Sequence, residues 1–151
     1  MAKLRRVVVG ADSSGSSPVS DSAVESQAFG GPGTPRIAVL WEERWTAAGW
    51  SSADPAQPYS PLPGADAVRF VELVLPAHDA PLPADAFDIP LHSTPTIDLL
   101  FVARGEAELV LDTGAVTLAA GDYLVMRGDV HGWRNVGPEE CVLVAAMAGT
   151  G

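Results

Sequence analysis

From residue 97 onward the chain is written in short apolar runs, each closed by a turn signal. Runs at 97–103, 106–111, 116–118, 123–126, 130–135 and 141–147 are separated by Arg104-Gly105, Asp112-Thr113-Gly114, Ala120-Gly121-Asp122, Arg127-Gly128-Asp129 and Val136-Gly137-Pro138. Short runs at this spacing predict strands of an all-β sandwich or barrel. Upstream, residues 68–75 alternate as a strand, with Val68, Phe70, Glu72 and Val74 on one face and Arg69, Val71, Leu73 and Leu75 on the other. Residues 36–41 predict a further strand ending at Glu42-Glu43. Residues 4–9 and 18–24, on either side of a Gly- and Ser-rich turn, predict an N-terminal hairpin. Residues 29–35, 44–67 and 76–91 carry Pro and Gly without period and read as connections. The aromatics Trp45, Trp50 and Tyr59 favour packing over disorder in the second. No helical period and no internal repeat is present.

Polar residues interrupt this pattern at two places. His92, Thr94, Thr96 and Asp98 fall on alternate positions, as do His131, Trp133 and Asn135. Alternate positions of a strand share a face, so each set is expected to present its side chains together. Two strands that each offer a His to one face bring the imidazoles into a common pocket. Gly105, Gly121 and Gly128 are expected to supply positive φ at turns, and Asn135 to tie a turn through its amide. Arg104 reads as a solvated loop charge, His78 as an exposed loop histidine, and Glu106, Glu108 and Asp112 as an exposed strand face.

The spacing of these residues resembles the two motifs of the cupin superfamily. The first motif reads His92-Ser93-Thr94, three residues, Asp98, six residues, Gly105. The second reads Gly121, four residues, Met126-Arg127-Gly128, two residues, His131, three residues, Asn135, one residue shorter than the family norm. Fifteen residues separate them. Thr94 stands where a second His is usual, Asp98 where Glu is usual, and Met126 where Pro is usual. The chain is most similar to small single-domain cupins with a His-x-Thr-x-Thr-x-Asp first motif.

The resemblance implies an all-β fold, a jelly-roll barrel (double-stranded β-helix) in a single domain over residues 36–148, preceded by an N-terminal arm at 1–35. Such arms commonly lie on a neighbouring subunit or cover a barrel edge, which implies a homodimer; a frayed arm is the alternative. It also implies that His92, Asp98 and His131 converge inside the barrel. Two imidazoles and a carboxylate match the ligand pattern of a divalent metal, iron, zinc, manganese or nickel; without a metal the same three residues suit acid–base catalysis. Thr94, Thr96 and Trp133 are the expected substrate contacts. Trp133 is equally suited to core packing. The expected function is an enzyme acting on a small, partly hydrophobic organic molecule by lyase, isomerase or cyclase chemistry. A non-haem iron dioxygenase and a non-catalytic ligand-binding module are the alternatives.

Composition narrows the partners. The chain of 151 residues carries a formal charge of -10, which opposes nucleic acid and anionic membrane surfaces. The single cysteine, Cys141, permits no internal disulfide and sits in an apolar run where a buried thiol is expected. No apolar run approaches the ~20 residues of a membrane helix. These features predict a soluble, cytoplasmic protein whose partner is a small molecule.

Overall fold

A computed structural model describes residues 4–13, 15–53 and 62–150. Its elements are β1 (Leu4–Asp12), β2 (Gly15–Val24), β3 (Gln27–Ala28), β4 (Arg36–Thr46), β5 (Gly49–Ala53), β6 (Ala67–Leu75), β7 (Ile89–His92), β8 (Thr96–Arg104), β9 (Glu106–Leu111), β10 (Gly114–Ala119), β11 (Tyr123–Met126), β12 (His131–Asn135) and β13 (Cys141–Gly149). No helix occurs among the described residues.

Two sheets face each other. One has the order β10-β9-β12-β7; the other runs β11-β8-β13-β6-β4-β3, with β5 on β4. The pairings are antiparallel, and from β6 onward each connection passes from one sheet to the other except the β9–β10 hairpin. This is the jelly-roll architecture that the alternating pattern and turn spacing predict. The inner faces meet in a core of Ile37, Val39, Val71, Leu75, Leu100, Val102, Leu109, Trp133 and Leu143, among others. The strand pattern of β8 shows why: Thr96, Asp98, Leu100 and Val102 are buried, whereas Ile97 and Leu99 are exposed.

The structure departs from the sequence reading in three places. Residues 92–98 are not one strand. His92 ends β7 in one sheet, and Thr96 opens β8 in the other, with the break at Ser93-Thr94-Pro95. Pro95 lacks the N–H that would continue a ladder. Second, β7 lies within the Pro-rich connection. It is an edge strand, where Pro90 costs no ladder bond. Third, β4 runs on past Trp41 to Thr46 and turns back into β5. There Trp45 and Trp50 meet edge to face at 5.0 Å, a cross-strand pair that stabilises the hairpin. Tyr59 lies outside the described residues.

β1 and β2 form a separate hairpin. Arg6 donates to the Leu40 carbonyl at 3.0 Å, and its guanidinium lies 5.2 Å from the Trp41 ring centre. No helix among the described residues is long and apolar enough to cross a membrane.

Candidate active site in the barrel

The two histidines are brought together by strand register. His131 on β12 is paired directly with His92 on β7, and their ring centroids are 4.4 Å apart. Each ring is held the same way. His92 Nδ1 lies 2.8 Å from the Pro90 carbonyl oxygen, and His131 Nδ1 lies 2.8 Å from that of Asp129. A carbonyl only accepts, so both Nδ1 atoms carry the proton in the neutral ring, and both Nε2 atoms keep their lone pairs. His131 is buried and His92 half-buried. A cleft of about 670 Å³ at this end of the barrel is lined by His131 together with Ser93, Leu111, Thr113, Met126 and Asp129.

Asp98 faces them from the opposite sheet. It is 5% exposed, and its Oδ1 has no hydrogen-bond partner among the described residues. Its two cross-strand neighbours are Met126 on β11 and Met147 on β13, so its flanks are apolar. Burial therefore pushes its carboxyl above the usual aspartate range, while a hydrogen bond from Thr96 and the charges of His131 and His92 pull the other way. Thr94 and Thr96 are both buried, their hydroxyl oxygens 2.8 Å apart. Either hydroxyl of the pair can be the donor.

Trp133, expected as a substrate contact, is 2% exposed and belongs to the core; its ring stands edge-on to His131 at 6.4 Å. Asn135 ties the turn after β12: its amide donates to the carbonyls of Pro76 and Glu139 and accepts from the Gly137 N–H. Gly128 has φ +82°, and a Cβ there would lie 2.8 Å from the Thr94 oxygen. The second motif's turn thus rests on the first motif's loop. Gly105 and Gly121 also have positive φ. His78 is not the exposed loop residue expected: its Nε2 meets buried Asp88 at 2.9 Å, and Asp88 also accepts from the Asn135 N–H at 2.6 Å.

A divalent cation needs three or four donors. The two imidazoles offer Nε2 each. No group of three His, Cys, Asp or Glu side chains gathers to hold a cation among the described residues, and Asp98 is turned to Thr96 on the other sheet. As arranged, this donor set falls short of a resident cation's needs.

Glu42 and Arg69, which the sequence reading left outside the site, also point into the barrel, and the exposed Arg44 lies beside them. Glu42 is 2% exposed and accepts from Arg44 Nε at 2.6 Å and from Arg69 Nε. Burial raises its carboxyl pKa, but the two guanidinium groups outweigh this and hold it below the usual glutamate range. The alternation of β6 already placed Arg69 on the face of Val71 and Leu75; the missing signal was that this face is the inner one.

Comparison with known proteins agrees with the architecture. The family described as "Cupin domain" matches residues 81–147. No curated protein matches the chain. Among solved structures, the cupin domain of Schizosaccharomyces pombe Cnp3 is similar with a TM-score of 0.54 at 12% identity, over 96% of this chain and 87% of that one. An uncharacterized protein with a double-stranded beta-helix domain from Klebsiella pneumoniae gives 0.52 at 24% identity, over 82% and 84%. The polyketide cyclase RemF from Streptomyces resistomycificus gives 0.52 at 16% identity, over 85% and 75%. At these identities the likeness is one of fold.

Proposed function

We infer from the cupin-domain match at residues 81–147 that the chain carries a cupin domain, a fold that serves catalytic and non-catalytic proteins alike, so its function is argued from its own side chains. We propose that His131, His92 and Asp98 are the catalytic residues of an acid–base enzyme acting on a small, partly hydrophobic carbonyl compound. The observation that carries this reading is the pair of imidazoles with Nδ1 fixed on backbone carbonyls, facing a buried carboxyl whose proton is held more tightly than usual. A buried carboxyl raised above its usual range, set opposite an imidazole whose Nδ1 is fixed on a backbone carbonyl, is suited to proton transfer.

In the reaction, His131 Nε2 takes a proton from the carbon next to the carbonyl. The C–H electron pair moves onto the carbonyl oxygen, which Asp98 in its protonated form stabilises by hydrogen bonding. Reprotonation at another carbon gives an isomerase, loss of a β-substituent a lyase, and attack on a second carbonyl a cyclase. His92 lies tilted beside His131, the ring centroids 4.4 Å apart, and walls one side of the reacting group. Thr94 and Thr96 orient Asp98, and Trp133 backs the His131 ring.

The test is ¹H NMR of α-proton exchange in D₂O, with phenylacetone as the probe. The protein is expected to accelerate exchange over buffer, and His131→Gln to lower that rate about 100-fold or more. Exchange no faster than buffer, or equal in His131→Gln and Asp98→Asn, removes the assignment. Elemental analysis of protein purified without chelator tests the alternative: near one equivalent of iron, zinc, manganese or nickel, lost in His131→Ala, replaces acid–base catalysis by a two-histidine carboxylate centre. The expected homodimer also stands as a proposal, supported by the exposed apolar side chains Leu99, Tyr123 and Val125 on the outer face of β8 and β11.

A further inference from the structure

Strand pairing decides what surrounds His131 in its cleft. His131 pairs on one side with His92 and on the other with Leu111, and Leu111 pairs with Gly114 across the β9–β10 hairpin. One residue beyond Leu111 the chain turns at Asp112-Thr113, and two residues before His131 stands Asp129. Both turns therefore fall within two residues of the His131–Leu111 pair, at the same end of the barrel. Asp112 and Asp129 are exposed, and both line the cleft of about 670 Å³. Its deeper wall is apolar: Leu109 and Met126 are buried, and Leu111 and Leu124 half-buried. His131 is 3% exposed and lines the same cleft, and its Nε2 has no hydrogen-bond partner among the described residues. A buried nitrogen without a partner, facing open space, is placed to meet a ligand.

The fixed charge of this cleft has one sign. Among the described residues that line it, the ionisable groups are Asp112, Asp129 and His131, with no Lys or Arg. Neither carboxylate has an ion-pair or side-chain hydrogen-bond partner among the described residues. The arginines nearest in sequence do not supply one: Arg127 is exposed and does not line the cleft, and Arg134 is held by Glu108 and the Ala84 carbonyl. Charges of one sign beside apolar walls focus their field into the space between and concentrate the opposite charge there. The chain's formal charge of -10 acts in the same direction. An ammonium offers three N–H donors and no acceptor, which suits two carboxylates that only accept. A carboxylate or phosphate finds no cation in the cleft to receive it. The ligand that fits both zones is therefore apolar at one end and cationic at the other, and the cleft's volume accommodates a bicyclic body.

We propose that the cleft selects a small organic amine, with the ammonium group at Asp112 and Asp129 and the apolar body against Leu109, Leu124 and Met126, beside His131 Nε2. This rests on the active-site reading above and narrows it: the carbonyl compound on which His131 acts carries an amino group that is charged at neutral pH.

The test is calorimetric titration with three probes of one shape, 2-naphthylmethylamine, 2-naphthylmethanol and 2-naphthoate. Exposed carboxylates attract weakly and are screened by salt, so the amine is expected to bind about fivefold more tightly than the alcohol at low salt, and the acid more weakly than either. Asp112→Asn and Asp129→Asn are each expected to weaken the amine about two- to threefold and leave the alcohol unchanged, and together to remove the amine's advantage. Both side chains are exposed and unpaired, so both variants fold. Glu25→Gln removes the same charge beside β3, at the opposite edge of the larger sheet from β11; it is expected to leave the preference intact, which separates the cleft from the net charge. Methyl ¹³C NMR locates the amine: the Met126 signal, identified with Met126→Leu, is expected to shift on binding. Equal affinities for amine and alcohol, an acid bound as tightly as the amine, an advantage that survives the double variant or falls equally in Glu25→Gln, an unmoved Met126 methyl, or binding of no probe at millimolar concentration overturns the proposal. Phenylacetone is uncharged, so proton exchange retained without an amine preference overturns the substrate class alone. Lost exchange with the amine preference intact overturns the acid–base assignment alone.

Discussion

Asp98→Asn should make the protein more stable at pH 8 while it abolishes proton exchange. The carboxylate is 5% exposed, lies between Met126 and Met147, and leaves Oδ1 without a hydrogen-bond partner among the described residues. An unsatisfied buried polar group costs about 1–3 kcal/mol, and more when charged. The amide is nearly isosteric and uncharged, so the variant is expected to gain about 1–3 kcal/mol at pH 8, or roughly 2–10 °C in Tm for a chain of this size. The pH dependence gives the sharper check. Burial raises the folded-state pKa of Asp98 above its unfolded value, so the favourable contribution of the protonated form is fully present below the ordinary aspartate pKa of about 3.9. It is lost as pH rises through the folded-state pKa. The gap between variant and wild type should therefore be small near pH 4, open as pH increases, and then level off. Guanidinium unfolding followed by tryptophan fluorescence at several pH values measures it, Trp133 being a buried reporter beside His131. A variant less stable than wild type at pH 8, or a gap of constant size from pH 4 to 8, would refute the account of Asp98 as a carboxyl kept in a hostile place for its chemistry.

Gly128→Ala should cost at least about 2 kcal/mol, since it combines a left-handed backbone with a Cβ 2.8 Å from the Thr94 oxygen; denaturant unfolding checks it, and an unchanged midpoint contradicts the geometry. Cys141 is fully buried and its thiol is pushed up to about 11, mainly by burial, so the native protein should resist a disulfide reagent at pH 8 and react with one equivalent once unfolded. Rapid native reaction would place the thiol outside the core. Sedimentation at micromolar concentration should show a dimer, and Val125→Asp on the exposed apolar face of β11 should shift it toward monomer; a monomeric wild type removes the dimer.

The sequence by itself determined the class of fold and the residues to suspect. Alternation within β8 and β13 and the turns at Gly105, Gly121 and Gly128 are local properties, readable without knowing any partner strand. His92 and His131 stood out because polar residues at core positions need a reason. The tertiary structure alone decided what those residues face. Pro95 breaks the apparent strand at 92–98, so His92 and Asp98 lie on opposite sheets and the imidazole pair comes from the register of β7 on β12. The inward turn of Glu42 and Arg69 likewise depends on which side of β6 is covered, a fact held by β13 and β4 and not by β6. Periodicity fixes which side chains share a face; only long-range pairing says which face is the inside, because burial belongs to the assembled sheets and not to any one strand.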